Sequence, residues 1–381
     1  DGLDMAAERG ESVAFSALYA GNLRILSELG LALIQSGYQD IPIAVELQLL
    51  LDTLSDPLDY DDPVTKQRRL QDYFDSVQGD LTGQKVAISL EELCSDLQTK
   101  ADWLADHICS QEWLQDSLGH GWFNGYYDNE GRRVEGEHSQ GTRMTLTGQV
   151  FPLMAGIAGE DQAQQIVNAV DRYLYEPKYT GYRLNTNFGV DVPALGRAFA
   201  FAYGQKENGA IFSHMAVMYA YALYQVGLAE QAWRVLDGLY QQSQDFPISR
   251  IYPGIPEYFN PRGRGMYSYL TGSAAWYMFT LLTESFGVKG ELGDLCLAPK
   301  LVASQFKSSD ILSVKTTFAG KQLEIGYHNP ELLSYGQYHI SGFSINGRAQ
   351  HPNAGTQVLR FPRTEVLKWS EQVQIKLDLS S

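Results

Sequence analysis

The spacing of the apolar residues changes once along this chain, near Leu295, and that change constrains the fold more than any other feature. Before it, Val13, Leu18, Leu23, Ile25, Leu26, Leu29, Leu31 and Leu33 recur at helical spacing and predict a long helix from Ser12 to about Gly37, where a glycine stops it. The same period predicts helices near Ile43–Leu54, Asp62–Ser76, Ser89–Cys109, Leu146–Ile157, Asp161–Tyr173, Ile211–Gly227, Ala229–Gln242 and Tyr267–Phe286. Long loops rich in Gly, Pro and Tyr join them without alternating strands, so helices must pack on helices, and a toroid of paired helices fits that pattern. After Leu295 the apolar residues alternate at period two in Ser313–Phe318, Gln322–Tyr327, Tyr338–Ile345 and Val366–Leu379, with turn signals at Ala319-Gly320-Lys321 and Asn346-Gly347. The expected division is a helical part over 1–295 and a small all-β module, a β-sandwich, over 296–381.

Charge narrows the range of partners. A formal net charge of -16 leaves no basic stripe for a nucleic acid backbone and repels anionic lipid, so neither nucleic acid nor membrane is expected as a partner. A small anion is different, because a few local donors hold it against an unfavourable overall field. No apolar run in the sequence reads as a membrane span. The cysteines, Cys94, Cys109 and Cys296, are widely spaced and fit no metal pattern; they read as buried thiols of a reducing compartment, which makes the cytoplasm the expected location. The abundance of aromatic residues, including 23 Tyr and 6 Trp, suits either a carbohydrate cleft or a tyrosine-rich core and does not decide between them.

Three polar, glycine-containing segments each lead into a helix. They are Asp1-Gly2-Leu3-Asp4 followed by Gly10-Glu11-Ser12, then Lys206-Glu207-Asn208-Gly209-Ala210-Ile211-Phe212-Ser213-His214, then Tyr269-Leu270-Thr271-Gly272-Ser273-Ala274-Ala275-Trp276. Helix starts present unpaired N–H groups and a positive dipole end, which suits phosphate. Taken alone, His214 reads more readily as a packing histidine and Thr271-Gly272 as a helix cap, while Asp1 reads equally as a cap. Capping and anion binding are compatible.

The second and third segments resemble the ENGGIFxH and WxTGSAxW signatures of the cellobiose and chitobiose phosphorylase family, in the same order. The first resembles the tail of that family's DWND loop. Gly121-Trp122-Phe123-Asn124-Gly125-Tyr126-Tyr127-Asp128 and Leu146-Thr147-Gly148-Gln149-Val150-Phe151 are similar to its tryptophan loop and following helix, and Pro256-Glu257-Tyr258 sits where the family has an EPY element. The resemblance covers roughly residues 1–300. Ala210 in place of glycine, Met215 after His214 and a long Asp52–Leu97 segment depart from the pattern and bear on acceptor specificity.

The resemblance implies an (α/α)6 toroid, incomplete on its N-terminal side, with a C-terminal β-sandwich. It implies inverting phosphorolysis of a β-linked glucose oligosaccharide, β-1,3 or β-1,4, to α-glucose 1-phosphate, with inorganic phosphate as cosubstrate, no cofactor or metal, and a homodimer. Residue by residue it implies Asp1 as the general acid, with His214, Thr271 and Gly272 on phosphate, Glu207 and Glu257 on sugar hydroxyls, and Trp122 and Tyr258 as sugar platforms. Arg264, in the Arg262-Gly263-Arg264-Gly265 loop, is a further candidate for neutralising phosphate. Two other readings remain: an inverting hydrolase on the same toroid, which needs a second carboxylate to activate water, and a noncatalytic carbohydrate-binding chain.

Overall fold

The computed structural model describes residues 11–52, 58–79, 81–189, 195–252, 254–268 and 271–381. Its helices up to residue 285 are α1 (Val13–Gln35), α2 (Pro63–Val77), α3 (Leu90–Gln111), α4 (Thr147–Met154), α5 (Glu160–Tyr173), α6 (Ser213–Gln225), α7 (Ala229–Gln244), α8 (Phe246–Ser249) and α9 (Gly272–Thr280), the last continuing as a π turn, Leu281–Ser285. Caps fix several starts. Ser12, Asp62, Ser89 and Thr271 each accept a backbone N–H of the first turn, satisfying a donor the helix itself leaves unpaired.

α1 packs on α3 and α4, α4 on α6, and α6 on both α7 and α9, so α1, α4, α6 and α9 form an arc of neighbours. The sequence permits this close contact. α1 turns Ala14, Ala17, Ala20 and Gly21 inward, and a Cβ on Gly21 would lie 2.9 Å from Ala155 Cβ. The arc and α5 share one apolar core that includes Phe123, Met144, Leu153, Ile166, Tyr219 and Leu236.

Two local expectations are corrected. The region expected to be a helix over Ile43–Leu54 begins as a strand, Asp40–Ala44, paired with Lys85–Ser89 in the register Ile41↔Ile88 and Ile43↔Val86, and only Val45–Leu50 forms a helical turn, of 3-10 type. The pairing takes Ile43 and Ala44 out of the expected helix. α1, with 23 residues, is also long and apolar enough to cross a membrane by length and composition, contrary to the expectation of no such run.

From Val288 onward the chain builds a second core. One sheet is three-stranded and antiparallel, with Asp294–Leu297 between Val288–Glu291 and Leu359–Phe361; the strand 294–297 runs through the expected 295/296 boundary. The other is five-stranded, with Gln372–Ser380 between Lys321–His328, to which it is parallel, and His339–Ile345, to which it is antiparallel. Alternate residues Leu323, Ile325 and Tyr327 of one strand, and Val373, Ile375, Leu377 and Leu379 of its neighbour, face the shared core.

Candidate active site

Two helix starts converge on His214. The strand Ile211–Phe212 pairs with Tyr258–Phe259, which pairs in turn with Gly265–Met266, and α6 begins directly after the first strand. The Ser213 N–H donates to the Glu257 carbonyl at 2.9 Å, which fixes the first turn of α6 beside Glu257. No side chain caps α6. At the other start, the Thr271 hydroxyl accepts the Ser273 N–H at 3.2 Å and shares a hydrogen bond with the Ser273 hydroxyl, which also donates to the Pro256 carbonyl. Gly272 lies flat against the imidazole: a Cβ there would be 2.9 Å from His214 Cε1 and 3.2 Å from Nδ1.

The turn at 205–208 completes the cluster. Asn208 ties it down by donating to the Phe201 carbonyl at 2.6 Å and accepting from Asn185 at 3.2 Å. The Tyr258 hydroxyl reaches Gln205 Oε1 at 3.4 Å, and its ring lies 6.0 Å from that of Tyr267. Lys206 Nζ sits 5.3 Å above the Tyr267 ring and 4.9 Å above Phe201. The neighbouring Tyr267 hydroxyl raises the Lys206 pKa further. Lys206 and Tyr267 received no role from the sequence, although Lys206 opens one of the singled-out segments.

Buried polar atoms normally find a partner. Here Glu207 Oε2, Ser213 Oγ and His214 Nε2 are buried without one, all within the single stretch 207–214. Burial pushes the His214 pKa down, so its ring is neutral at pH 7. A neutral imidazole with an unengaged nitrogen, two helix starts and a lysine are the chemistry that receives an anion. Glu207 and Glu257 add carboxylates at the same place, suited to hydroxyl groups.

Two of the expected site residues play other parts. Trp122 has 0% exposure: it lies in the strand Gly121–Phe123, buried along its length, with its ring 5.9 Å from Tyr173, so it offers no face to a sugar. Tyr258 is 3% exposed and contributes its hydroxyl edge rather than a platform. Asp1 lies outside the described residues. Arg264 is exposed at the tip of the hairpin that starts from Tyr258, the end away from Ser213.

The sequence reading also passed over a buried network that holds the 121–128 loop. Glu135 accepts the Gly125 N–H at 2.9 Å, the Thr145 N–H at 3.0 Å and the Thr145 hydroxyl at 2.5 Å. Burial pushes its pKa up to about 8, against these donors. The Gly125 carbonyl then accepts the Ala14 N–H at 3.2 Å, and Glu11–Ser12 pairs with Tyr126–Tyr127, so the network sets the start of α1.

The helical arc thus carries carboxylates, an imidazole and two helix starts in one cluster around His214. The chain belongs to the glycosyl hydrolase 94 superfamily, whose catalytic-domain model matches residues 89–287. It is 26% identical over 236 residues, 60% of this chain and 28% of the relative, to N,N'-diacetylchitobiose phosphorylase of Vibrio proteolyticus. It is 22% identical over 274 residues, 68% of this chain and 33% of the relative, to 3-O-beta-D-glucopyranosyl-beta-D-glucuronide phosphorylase of Paenibacillus borealis. A cellobionic acid phosphorylase of Neurospora crassa is 25% identical over 187 residues, 42% of this chain and 22% of the relative. The chain thus spans about a third or less of the length of these relatives.

Proposed function

We propose that this chain forms part of the catalytic domain of an inverting glycoside phosphorylase that cleaves a β-linked glucose oligosaccharide, with a β-1,3 or β-1,4 linkage, to α-glucose 1-phosphate and a shortened sugar. The observation that carries the reading is the group of unpaired buried polar atoms, Glu207 Oε2, Ser213 Oγ and His214 Nε2, beside the converging starts of α6 and α9. Phosphate satisfies the histidine and the backbone donors, and sugar hydroxyls satisfy the glutamate. The phosphorylase names of the relatives support the same reaction class.

The mechanism needs one acid. Phosphate is already an anionic nucleophile, so the second carboxylate that a hydrolase uses to activate water is not required. His214, the backbone at Gly272 and the Thr271 hydroxyl hold phosphate on the face of the sugar opposite the leaving group, and Glu207 and Glu257 orient the ring. Asp1 is the proposed acid. The arc of α1, α4, α6 and α9 is proposed to be part of an (α/α)6 toroid, and the protein is proposed to be a cytoplasmic homodimer.

The test is the phosphate dependence of turnover by the full-length protein. His214→Ala should raise the phosphate KM by roughly 10-fold or more, the worth of a hydrogen bond to a charged group, while leaving the sugar KM within about twofold. An unchanged phosphate KM sinks the assignment, and turnover without phosphate favours hydrolysis.

A further inference from the structure

An open groove of 510 Å3 runs along α7 on the far side of that helix from His214. α7 buries Ala232, Val235, Leu236 and Leu239 on the side where α6 packs, and presents Gln231, Arg234, Asp237 and Gln241 to the groove. A full helix diameter, about 10 Å, therefore separates it from the cluster at the start of α6. Its volume lies within the ~300–1,000 Å3 typical of small-molecule sites.

The groove is built rather than incidental. On one side the turn joining Tyr175–Glu176 to Gly181–Tyr182 sits directly on the helix: a Cβ on Gly238 would lie 2.3 Å from the Thr180 carbonyl oxygen. Thr180 itself is held at φ 50, a left-handed conformation costly for a β-branched residue. Arg234 is fixed by the Asp171 carboxylate at 2.6 Å and lies over the rings of Tyr175, at 5.6 Å, and Tyr182, at 5.9 Å. On the other side Lys307 approaches Asp237 at 3.8 Å, and Gln241 donates to Asp237 at 3.3 Å.

The lining selects the ligand. Glu230, Asp237 and Asp171, the partner of Arg234, outnumber Arg234 and Lys307, so the groove is slightly negative within a chain of net charge -16, which disfavours an anion. Most of the lining surface is apolar, but the charged groups of Glu230, Arg234, Asp237 and Lys307 ring it and disfavour a wholly apolar molecule. The amides of Gln231 and Gln241 and the carboxylates of Glu230 and Asp237 beside Trp233 match a pyranose, whose hydroxyls both donate and accept and whose C–H face stacks on a ring. We infer that this groove is a second, noncatalytic site that binds a neutral oligosaccharide, independent of the chemistry proposed at His214.

Calorimetric titration of the chain with cellotetraose and laminaritetraose tests this. The double variant Gln231→Ala/Gln241→Ala removes two side chains at the solvent edge and leaves the Arg234–Asp171 pair intact. It should weaken binding of at least one of these sugars 10-fold or more without lowering Tm, whereas His214→Ala and Glu257→Gln should leave that binding event in place. Trp233→Phe, which keeps a ring in the same position, should weaken it less than the double variant. Three results would overturn the inference: no binding of either sugar at millimolar concentration, binding unaffected by the groove variants and lost in the cleft variants, or tighter binding of a glucuronate-containing oligosaccharide than of its neutral counterpart. Because the readout is binding, it is decided separately from phosphorolysis.

Discussion

Replacing Gly272 by alanine puts a methyl carbon 2.9 Å from His214 Cε1, 3.2 Å from Nδ1 and 3.4 Å from Nε2. Carbon atoms in good contact sit about 3.5–4.0 Å apart, so the ring must retreat by roughly 0.5–1 Å. Such overpacking costs about 1–3 kcal/mol in stability. The displaced nitrogen also loses its aim at the anion, and a hydrogen bond to a charged group is worth about 1.5–3 kcal/mol, or roughly 10- to 100-fold in phosphate affinity. Thermal denaturation and phosphate titration at pH 7.5, on Gly272→Ala, His214→Ala and the double variant, separate the two effects. If the methyl acts through the ring, the double variant binds phosphate no worse than His214→Ala alone and recovers stability relative to Gly272→Ala, because the clash has no partner. Full additivity of the two losses, or an unchanged phosphate affinity in Gly272→Ala, would show that the methyl does not act through His214.

Trp122→Phe should lower stability by roughly 1–3 kcal/mol, as a shape change in a packed core, and leave the sugar KM unaltered, since the ring has no exposed face; steady-state kinetics beside a melting curve decide this. Gly148→Ala should destabilise by about 2–3 kcal/mol or more, because the new Cβ meets Gly125 Cα and Glu135 Oε1 at 2.9 Å, and the backbone contact cannot swing aside. The His214 pKa is held below its unfolded value of about 6.5. The folded state therefore loses stability as pH falls below about 6.5 towards the folded pKa, and His214→Gln should flatten that acid limb in a Tm-against-pH series. Glu135 has the opposite sign: a carboxyl raised to about 8 binds its proton more tightly when folded, so stability declines as pH rises from about 4.5 through 8. Glu135→Gln should remove that slope.

Much of the helical half was legible because its signals are local. Ser12, Asp62 and Ser89 cap helices that start where the period-3.6 pattern starts, and the ordered signatures around Lys206–His214 and Thr271–Trp276 do meet in space. α9 begins at Gly272 rather than near Tyr267, because Thr271 makes the cap while Tyr267 is held at φ 58. The misses depend on distant partners. Asp40–Ala44 is a strand only because Lys85–Ser89 returns beside it. Trp122 looks like a platform in a motif and is buried because Trp113, Phe123 and Tyr173 close around its strand. Glu135 carries no local signal at all, since its donors come from ten residues before and after it.

In the proposed reaction phosphate, not water, attacks the sugar. The most direct measurement is the product formed by the full-length protein from β-1,3- and β-1,4-linked gluco-oligosaccharides, followed by NMR with and without inorganic phosphate. The expected product is α-glucose 1-phosphate, formed only when phosphate is present; free glucose released at the same rate without phosphate would contradict phosphorolysis.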